Sequence, residues 1–303
     1  MIASNSEFHS LRGLNCHLRS WGDPQGKPLL LLHGWMDNSA SFQFFADAFL
    51  GDAANAGWRL VAPDWRGFGL SEWATGGTYA YTDYLADLDA LVGKLNPQAP
   101  LSILGHSMGG YLACMYAAAR PARVARLINL EGMGLRAREG AEAPAHLAQW
   151  LDELQAPRRP KTFASFDELA ARIVRNNPAL PLERALFVAR HWATQLTAGV
   201  VALMSDPGHD GAAADLFRLD EAKAVWGAIT CPVLWVEAGL SRNTERHRIS
   251  PEGLAERRAS LATAQLARIE GAGHMAHMEQ PEALALLAAD FLRPAREGQS
   301  AIS

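Results

Sequence analysis

The first 133 residues alternate continuous apolar runs with stretches in which apolar side chains recur at helical spacing. Four of the runs predict strands that are buried on both faces, at residues 28–34, 59–64, 101–104 and 124–131. Three stretches between them predict helices, at residues 39–50, 82–95 and 108–119. Strands and helices that alternate in this way predict a parallel sheet covered by helices on both faces.

The pattern changes from about residue 134 to residue 222, where helical periodicity continues without a recognisable strand pattern. Helices are predicted there at residues 143–155, 165–176 and 181–192. Strand patterns return at residues 231–237 and 264–270, and a last helix is predicted to open at Pro281. We therefore expect a core domain formed by residues 1–133 and 223–303, with residues 134–222 inserted as a helical lid.

Composition narrows the class of protein. A chain of 303 residues that is 49% hydrophobic can bury one large core, and a formal charge of −4 gives no reason to expect nucleic acid or an anionic membrane surface as a partner. No apolar run approaches the roughly 18 residues of a membrane span. The N-terminus lacks the apolar core of a signal peptide. The three cysteines are widely spaced without a CxxC pair, so we expect free thiols in a cytoplasmic protein and no metal site.

Residues 105–109 read Gly-His-Ser-Met-Gly between a predicted strand and a predicted helix. This G-x-S-x-G pattern in a strand-to-helix turn is typical of a nucleophile elbow. The turn brings two backbones so close that there is no room for a side chain at position 105 or 109, and both positions are glycine. The pattern predicts Ser107 as a nucleophile, held above the sheet at the start of a helix whose dipole favours negative charge.

A serine hydroxyl needs a base and a pair of oxyanion donors. The segment "GAGHMAHMEQP", at residues 271–281, follows the last predicted strand and supplies His274 as the expected base. His277 competes but lies three residues later, at the expected start of the last helix. The expected oxyanion donors are the backbone N–H groups of Met108, directly after the nucleophile, and of Trp35, in the turn "HGWMDN".

Three motifs together resemble the α/β-hydrolase superfamily: "LLHGW" at 31–35, "DWRGFGLS" at 64–71 and "GHSMGG" at 105–110. The pairing of "HGWMDNSASF" with "GHSMGG" is more narrowly similar to the serine hydrolase-like (kraken-like) esterase group. The resemblance implies an α/β-hydrolase fold, a mostly parallel sheet flanked by helices with an inserted helical lid, and an esterase without a cofactor. It implies structural roles for Asp64 and Arg66.

The acid of the expected triad departs from the family pattern. In the family it follows the strand that here spans 231–237, but that turn reads "VEAGLSRNTE", with Ser241 where the aspartate is expected. Glu131 ends the strand directly after the elbow helix, and a buried strand rarely ends in an unpaired carboxylate. The sequence favours Glu131 as the acid, with Glu237 as the alternative.

These residues predict a serine hydrolase that cleaves carboxylic esters of short to medium acyl chains through an acyl-enzyme on Ser107. Thioesterase or lactonase activity by the same mechanism stays open, as does a non-catalytic ligand-binding protein of the same fold. Dehalogenase and epoxide hydrolase chemistry are disfavoured because their nucleophile is an aspartate. Trp150 and Trp192 of the lid, with Trp35 across the mouth, are expected to line an apolar cleft for a small-molecule ester. The sequence does not indicate an oligomeric state.

Overall fold

The computed structural model describes residues 1–74, 79–197, 199–211, 213–262 and 264–293. Eight strands form its main sheet, in the order β1-β2-β4-β3-β5-β6-β10-β11. Their bounds are β1 Asn5–Leu11, β2 Leu14–Gly22, β3 Lys27–Leu32, β4 Trp58–Pro63, β5 Leu101–His106, β6 Val124–Leu130, β10 Val233–Ala238 and β11 Ala264–Ile269. The strands from β4 to β11 in this order run parallel, which confirms the predicted mostly parallel sheet.

Helices cover both faces of the sheet. Their bounds are α1 Gln43–Gly51, α2 Tyr81–Leu95, α3 Met108–Ala119, α4 Ala143–Gln155, α5 Phe166–Asn176, α6 Leu182–Trp192, α7 Leu219–Gly227, α8 Asn243–Arg246, α9 Pro251–Ala259, α10 Ala276–Glu279 and α11 Pro281–Leu292. One core cluster joins α2, α3 and α7 to the sheet, and a second joins α1 and α11 to its other face. No helix in the described part of the chain combines the length and apolarity needed to span a membrane.

The prediction that residues 134–222 contain no strand was wrong. Besides α4, α5 and α6, this segment forms a small antiparallel sheet in the order β7-β9-β8. Its strands are β7 Thr162–Phe163, β8 Ala193–Thr197 and β9 Val200–Leu203. The strands are too short, and β8 too exposed, to give an apolar period in the sequence. With α5 and α6 the small sheet forms a core of its own, which also contains Met275 and Met278.

The two N-terminal strands were missing from the predicted elements. β1 pairs antiparallel with β2, and β2 pairs antiparallel with β4, so they extend one edge of the sheet. β1 is an edge strand whose side chains are mostly exposed, and β2 buries the polar residues His17 and Ser20 beside Leu18. Neither strand therefore has the continuous apolar run that predicts a buried parallel strand.

Candidate active site

Ser107 occupies the turn between β5 and α3 in a backbone conformation that is unusual for a residue with a side chain. Its φ is 53° and its ψ is −116°. Such a conformation is strained and persists only where neighbouring structure enforces it. The Ser107 N–H donates to the carbonyl of Leu130 at 2.8 Å, which ties the turn to the end of β6. A side chain at Gly105 would overlap the backbone of Gly109, and one at Gly109 would overlap the carbonyl of Leu32.

Replacement of Gly109 by alanine should destabilise the protein, because the added methyl group meets backbone that belongs to β3. We expect a loss of about 3 kcal/mol in the free energy of unfolding, at the upper end of the cost of overpacking. Gly93→Ala is the matched control: Gly93 also lies in a helix, and a Cβ there has open space around it. That variant should be neutral or more stable by up to about 1 kcal/mol. Urea unfolding measures both, and equal effects of the two substitutions would contradict this account of the turn.

His274 lies between Ser107 and Glu131. Its Nε2 is 3.1 Å from the hydroxyl oxygen of Ser107, and its Nδ1 is 3.3 Å from Oε2 of Glu131. With the proton on Nδ1, the imidazole donates to the carboxylate and accepts from the serine hydroxyl. The His274 side chain is 23% exposed, whereas that of Glu131 is 1% exposed. Of these three contacting residues, the carboxylate is therefore the one that a substrate cannot reach.

Glu131 is held rigidly at the end of β6. It has a positive φ of 57°, and its N–H donates to the carbonyl of Val236 at 3.0 Å. Oε1 accepts from the N–H of Ala238 at 2.9 Å, and Oε2 accepts a short hydrogen bond from the hydroxyl of Ser241. Ser241 stands at the position where the family usually has its acid, and it donates to the carboxylate of Glu131. Sequence reasoning marked Ser241 only as a missing acid and did not predict this contact.

Glu237, the alternative acid, is committed elsewhere. Its Oε1 accepts from Nε of Arg258 at 2.6 Å and from the indole N–H of Trp235 at 2.9 Å. Its Oε2 forms a second, short contact with the same guanidinium. A bidentate ion pair of this kind fixes the carboxylate. The structure thus brings Glu131, rather than Glu237, to His274.

The loop that carries His274 is anchored by two residues that sequence reasoning missed. His106 donates from Nε2 to the backbone carbonyl of His274 at 2.8 Å, and burial lowers the pKa of His106 well below its usual value, so the ring is neutral. The Glu279 carboxylate accepts a short hydrogen bond from the N–H of Gly273, and burial raises the pKa of Glu279. Both residues stand inside quoted motifs, but their partners depend on the folded loop.

The two expected oxyanion donors belong to backbone segments that border Ser107. Met108 is the first residue of α3, and the first N–H groups of a helix have no partner within it. A Cβ on Gly34 would lie 3.1 Å from the Cβ of Ser107, so the turn that leads into Trp35 runs close to Ser107. The Trp35 side chain is 41% exposed and packs edge-on against Phe68, with 5.5 Å between ring centroids.

Comparison with known proteins identifies the family of this chain. A model of the alpha/beta hydrolase family matches residues 29–286, which is most of the chain. The chain belongs to the α/β-hydrolase family. A serine hydrolase-like protein of Danio rerio is 29% identical over 291 residues, which cover 92% of this chain and 86% of that protein. A serine hydrolase-like protein of Dictyostelium discoideum is 27% identical over 95% of this chain and 82% of its own length.

Among solved structures, the thioesterase domain from the curacin biosynthetic pathway is similar to this α/β hydrolase, with a TM-score of 0.83 and 26% sequence identity. The match covers 94% of this chain and 98% of that domain. The expected α/β-hydrolase fold and the resemblance to serine hydrolase-like proteins are thereby confirmed.

The predicted substrate-binding tryptophans of this α/β hydrolase have different surroundings. Trp192 is half-buried, and its indole N–H donates to Oδ1 of Asp37 at 3.0 Å. It lines a narrow crevice with Met36 and Phe68, in whose wall neither Ser107 nor His274 takes part. Trp150 lies on α4, a helix with no buried residue. Contact of either tryptophan with a substrate stays a prediction.

Asp37, His106 and His277 form a buried group whose potential metal-ligand atoms lie within 4.8 Å of one another. Asp37 already accepts hydrogen bonds from the indole of Trp192, the N–H of Asn38 and the hydroxyl of Ser41. The same hydroxyl lies 3.1 Å from Nε2 of His277. The donors around Asp37 therefore fit a hydrogen-bond network beneath the His274 loop better than a metal centre, for which a free carboxylate oxygen is needed.

Arg66 and Asp64, from the motif at residues 64–71, make structural contacts and do not contact the reacting groups. Arg66 pairs with the buried carboxylate of Asp87, with Nε and Oδ2 at 2.5 Å. Asp64 accepts from the backbone N–H of Ser39 at 2.7 Å and from that of Leu70 at 2.9 Å. The Arg66 contact joins the loop after β4 to α2, and the Asp64 contacts join that loop to the segment after β3, in agreement with the expected structural roles.

Proposed function

We propose that this α/β hydrolase is a serine hydrolase that cleaves carboxylic esters through an acyl-enzyme formed on Ser107. The observation that carries the proposal is the chain of contacts from the Ser107 hydroxyl through both ring nitrogens of His274 to Glu131. Such a chain gives each group one role, as nucleophile, as general base and as the acid that orients the base. The strained turn at Ser107 supports the same assignment.

In the first half of the reaction, Ser107 Oγ attacks the ester carbonyl carbon while its proton passes to Nε2 of His274. The resulting imidazolium donates from Nδ1 to Glu131, which stabilises its positive charge. His274 then gives the proton to the departing alcohol, and the carbonyl re-forms as an acyl-serine. In the second half, His274 takes a proton from a water molecule as that water attacks the acyl carbon. His274 then returns the proton to Ser107 Oγ as the bond to the acyl group breaks and the acid departs.

The oxyanion of each tetrahedral intermediate would accept hydrogen bonds from the backbone N–H groups of Met108 and Trp35. The position of Met108 at the N-terminus of α3 supports this role, because the helix dipole adds to the favourable potential there. Each such donor contributes about 3 kcal/mol to transition-state stabilisation in hydrolases where it has been removed.

We propose that residues 134–222 act as a lid over this centre and that Trp150, Trp192 and Trp35 contribute an apolar wall to the substrate site. Two features support this. The core of the segment includes Met275 and Met278, which lie in the turn and short helix directly after His274, so it packs beside the catalytic loop. The leucines on α4 are exposed, among them Leu147 and Leu151, and can cover an apolar acyl chain.

If the acyl site has this apolar wall, neutral esters should be preferred, because a charge in an apolar cleft loses hydration. We expect kcat/KM for p-nitrophenyl butyrate and hexanoate to be at least about tenfold higher than for a succinate ester that carries a free carboxylate on its acyl chain. Steady-state kinetics on the purified protein measure the ratio. Faster turnover of the charged ester than of both neutral esters would contradict the proposed acyl site.

Thioester cleavage is the second candidate, and the similarity to the curacin thioesterase domain favours it. The same serine, base and oxyanion donors serve both reactions. Kinetics with the S-phenyl thioester and the phenyl ester of butyric acid would separate them, because the acyl chain is then the same. A higher kcat/KM for the ester supports the first proposal, and a higher value for the thioester supports the second.

A further inference from the structure

A cavity of about 290 Å³ lies beside the sheet edge, between β2, the loop after β3 and the junction of α6 with β8. Its wall contains Arg19, Asp64, Arg190 and Thr194, together with apolar atoms of Leu70 and Met204. None of the proposed catalytic residues takes part in this wall. The volume is that of a small ligand site.

Two guanidinium groups in this wall lack an acidic partner of their own. Arg19 donates from Nη1 to the hydroxyl of Ser4 at 2.9 Å, but its Nε is buried without a hydrogen-bond partner in the described part of the chain. Burial lowers the pKa of Arg19. Arg190 is exposed, and no ion pair or hydrogen bond from it to a described side chain is present. Two arginine side chains thus share one cavity wall without a hydrogen bond to a described acidic side chain, and an oxyanion in the cavity would pair with their positive charge.

Asp64 is the carboxylate in the wall, and its oxygens are already engaged. Oδ1 accepts from the Ser39 N–H, and Oδ2 accepts from the Leu70 N–H and contacts Nδ1 of His17 at 2.8 Å. Burial opposes its ionisation, but the hydrogen bond and charge of His17 lower the pKa of Asp64 to about 2. One carboxylate against two arginines leaves the wall with a net charge of +1.

We propose that this cavity is a second ligand site, which binds a small molecule through a carboxylate or phosphate group held between Arg19 and Arg190. Guanidinium groups match such oxyanions in both charge and geometry. The hydroxyl of Thr194 adds a polar contact, and Leu70 and Met204 accommodate a short apolar body. The site is separate from the acyl site at Ser107, so its occupancy does not depend on the proposed hydrolysis.

Calorimetric titration of the whole protein at low ionic strength tests the site, with inorganic phosphate and succinate as probes and succinamide as the neutral match. We expect saturable binding of at least one anion at one site per chain, and no saturable binding of succinamide. Arg190→Gln should weaken the anion's affinity by about tenfold or more, the loss expected for one charge-assisted contact. Arg172→Gln, which removes an exposed arginine of α5 outside the cavity, should leave the affinity unchanged.

Phosphate binding alone would identify a phosphate-bearing ligand, and succinate binding alone a carboxylate-bearing one; both results support the site. The proposal is overturned if neither anion binds saturably up to millimolar concentrations, or if Arg190→Gln binds as tightly as the wild type. It is also overturned if Arg172→Gln weakens binding as much as Arg190→Gln does, or if succinamide binds as tightly as succinate.

Discussion

Replacement of Ser107 by alanine is expected to lower kcat for p-nitrophenyl butyrate hydrolysis by about 10⁶-fold, the typical cost of losing a triad serine. The alanine variant keeps the turn between β5 and α3, since the Ser107 N–H, and not its side chain, donates to Leu130. The hydroxyl contacts His274, so its removal takes away the nucleophile and leaves the surrounding hydrogen bonds in place.

Ser102→Ala provides the matched control for this variant. Ser102 lies on the same strand, β5, and is fully buried, and its hydroxyl has no hydrogen-bond partner among the described residues. Its substitution should leave kcat close to that of the wild type. Circular dichroism and thermal unfolding check that both variants are folded. Near-normal activity of a folded Ser107→Ala protein would refute the mechanism as a whole.

Glu131→Gln is expected to lower kcat by about 10⁴-fold, because the imidazole then loses the charge that favours its correct tautomer and stabilises its protonated form. The effect is large because Oε2 of Glu131 lies 3.3 Å from Nδ1 of His274. Glu237→Gln should stay within about tenfold of the wild type, since Glu237 pairs with Arg258 and removal of its charge affects an ion pair away from the imidazole.

The comparison of these two variants contains its own control. Both replace a glutamate near the carboxyl end of a strand with an isosteric amide, so shape is conserved and charge is removed. Steady-state kinetics give kcat, and urea unfolding shows whether each variant is folded. If Glu237→Gln were the severely impaired variant and Glu131→Gln nearly normal, the acid would belong to β10 instead of β6.

The central strands of the parallel sheet were predictable because they are largely buried on both faces. Such strands are continuous apolar runs, and β3, β5 and β6 all lie within two residues of their predicted bounds at each end. The antiparallel additions were not predictable by the same rule. β1 is exposed at the sheet edge, and in the small sheet β9 pairs with both β7 and β8.

The placement of Ser107 beside His274 was predictable because both residues stand in local motifs whose geometry depends on neighbouring glycines. Long-range partners leave no such local signal. The hydroxyl of Ser241 meets Glu131 across 110 positions of the chain, and nothing near either residue indicates the contact. The same holds for Arg19 and Arg190, which enter one cavity wall only because α6 ends beside β2.

Labelling with a fluorophosphonate probe tests the central claim most directly, since such probes react with activated serines regardless of the natural substrate. The account predicts that intact-mass spectrometry finds one adduct per chain, that peptide mapping locates it on Ser107, and that Ser107→Ala prevents its formation. His274→Ala should slow labelling strongly, because His274 is the group that removes the proton from the Ser107 hydroxyl. A folded wild-type protein that stays unlabelled, or an adduct on another residue, would contradict it.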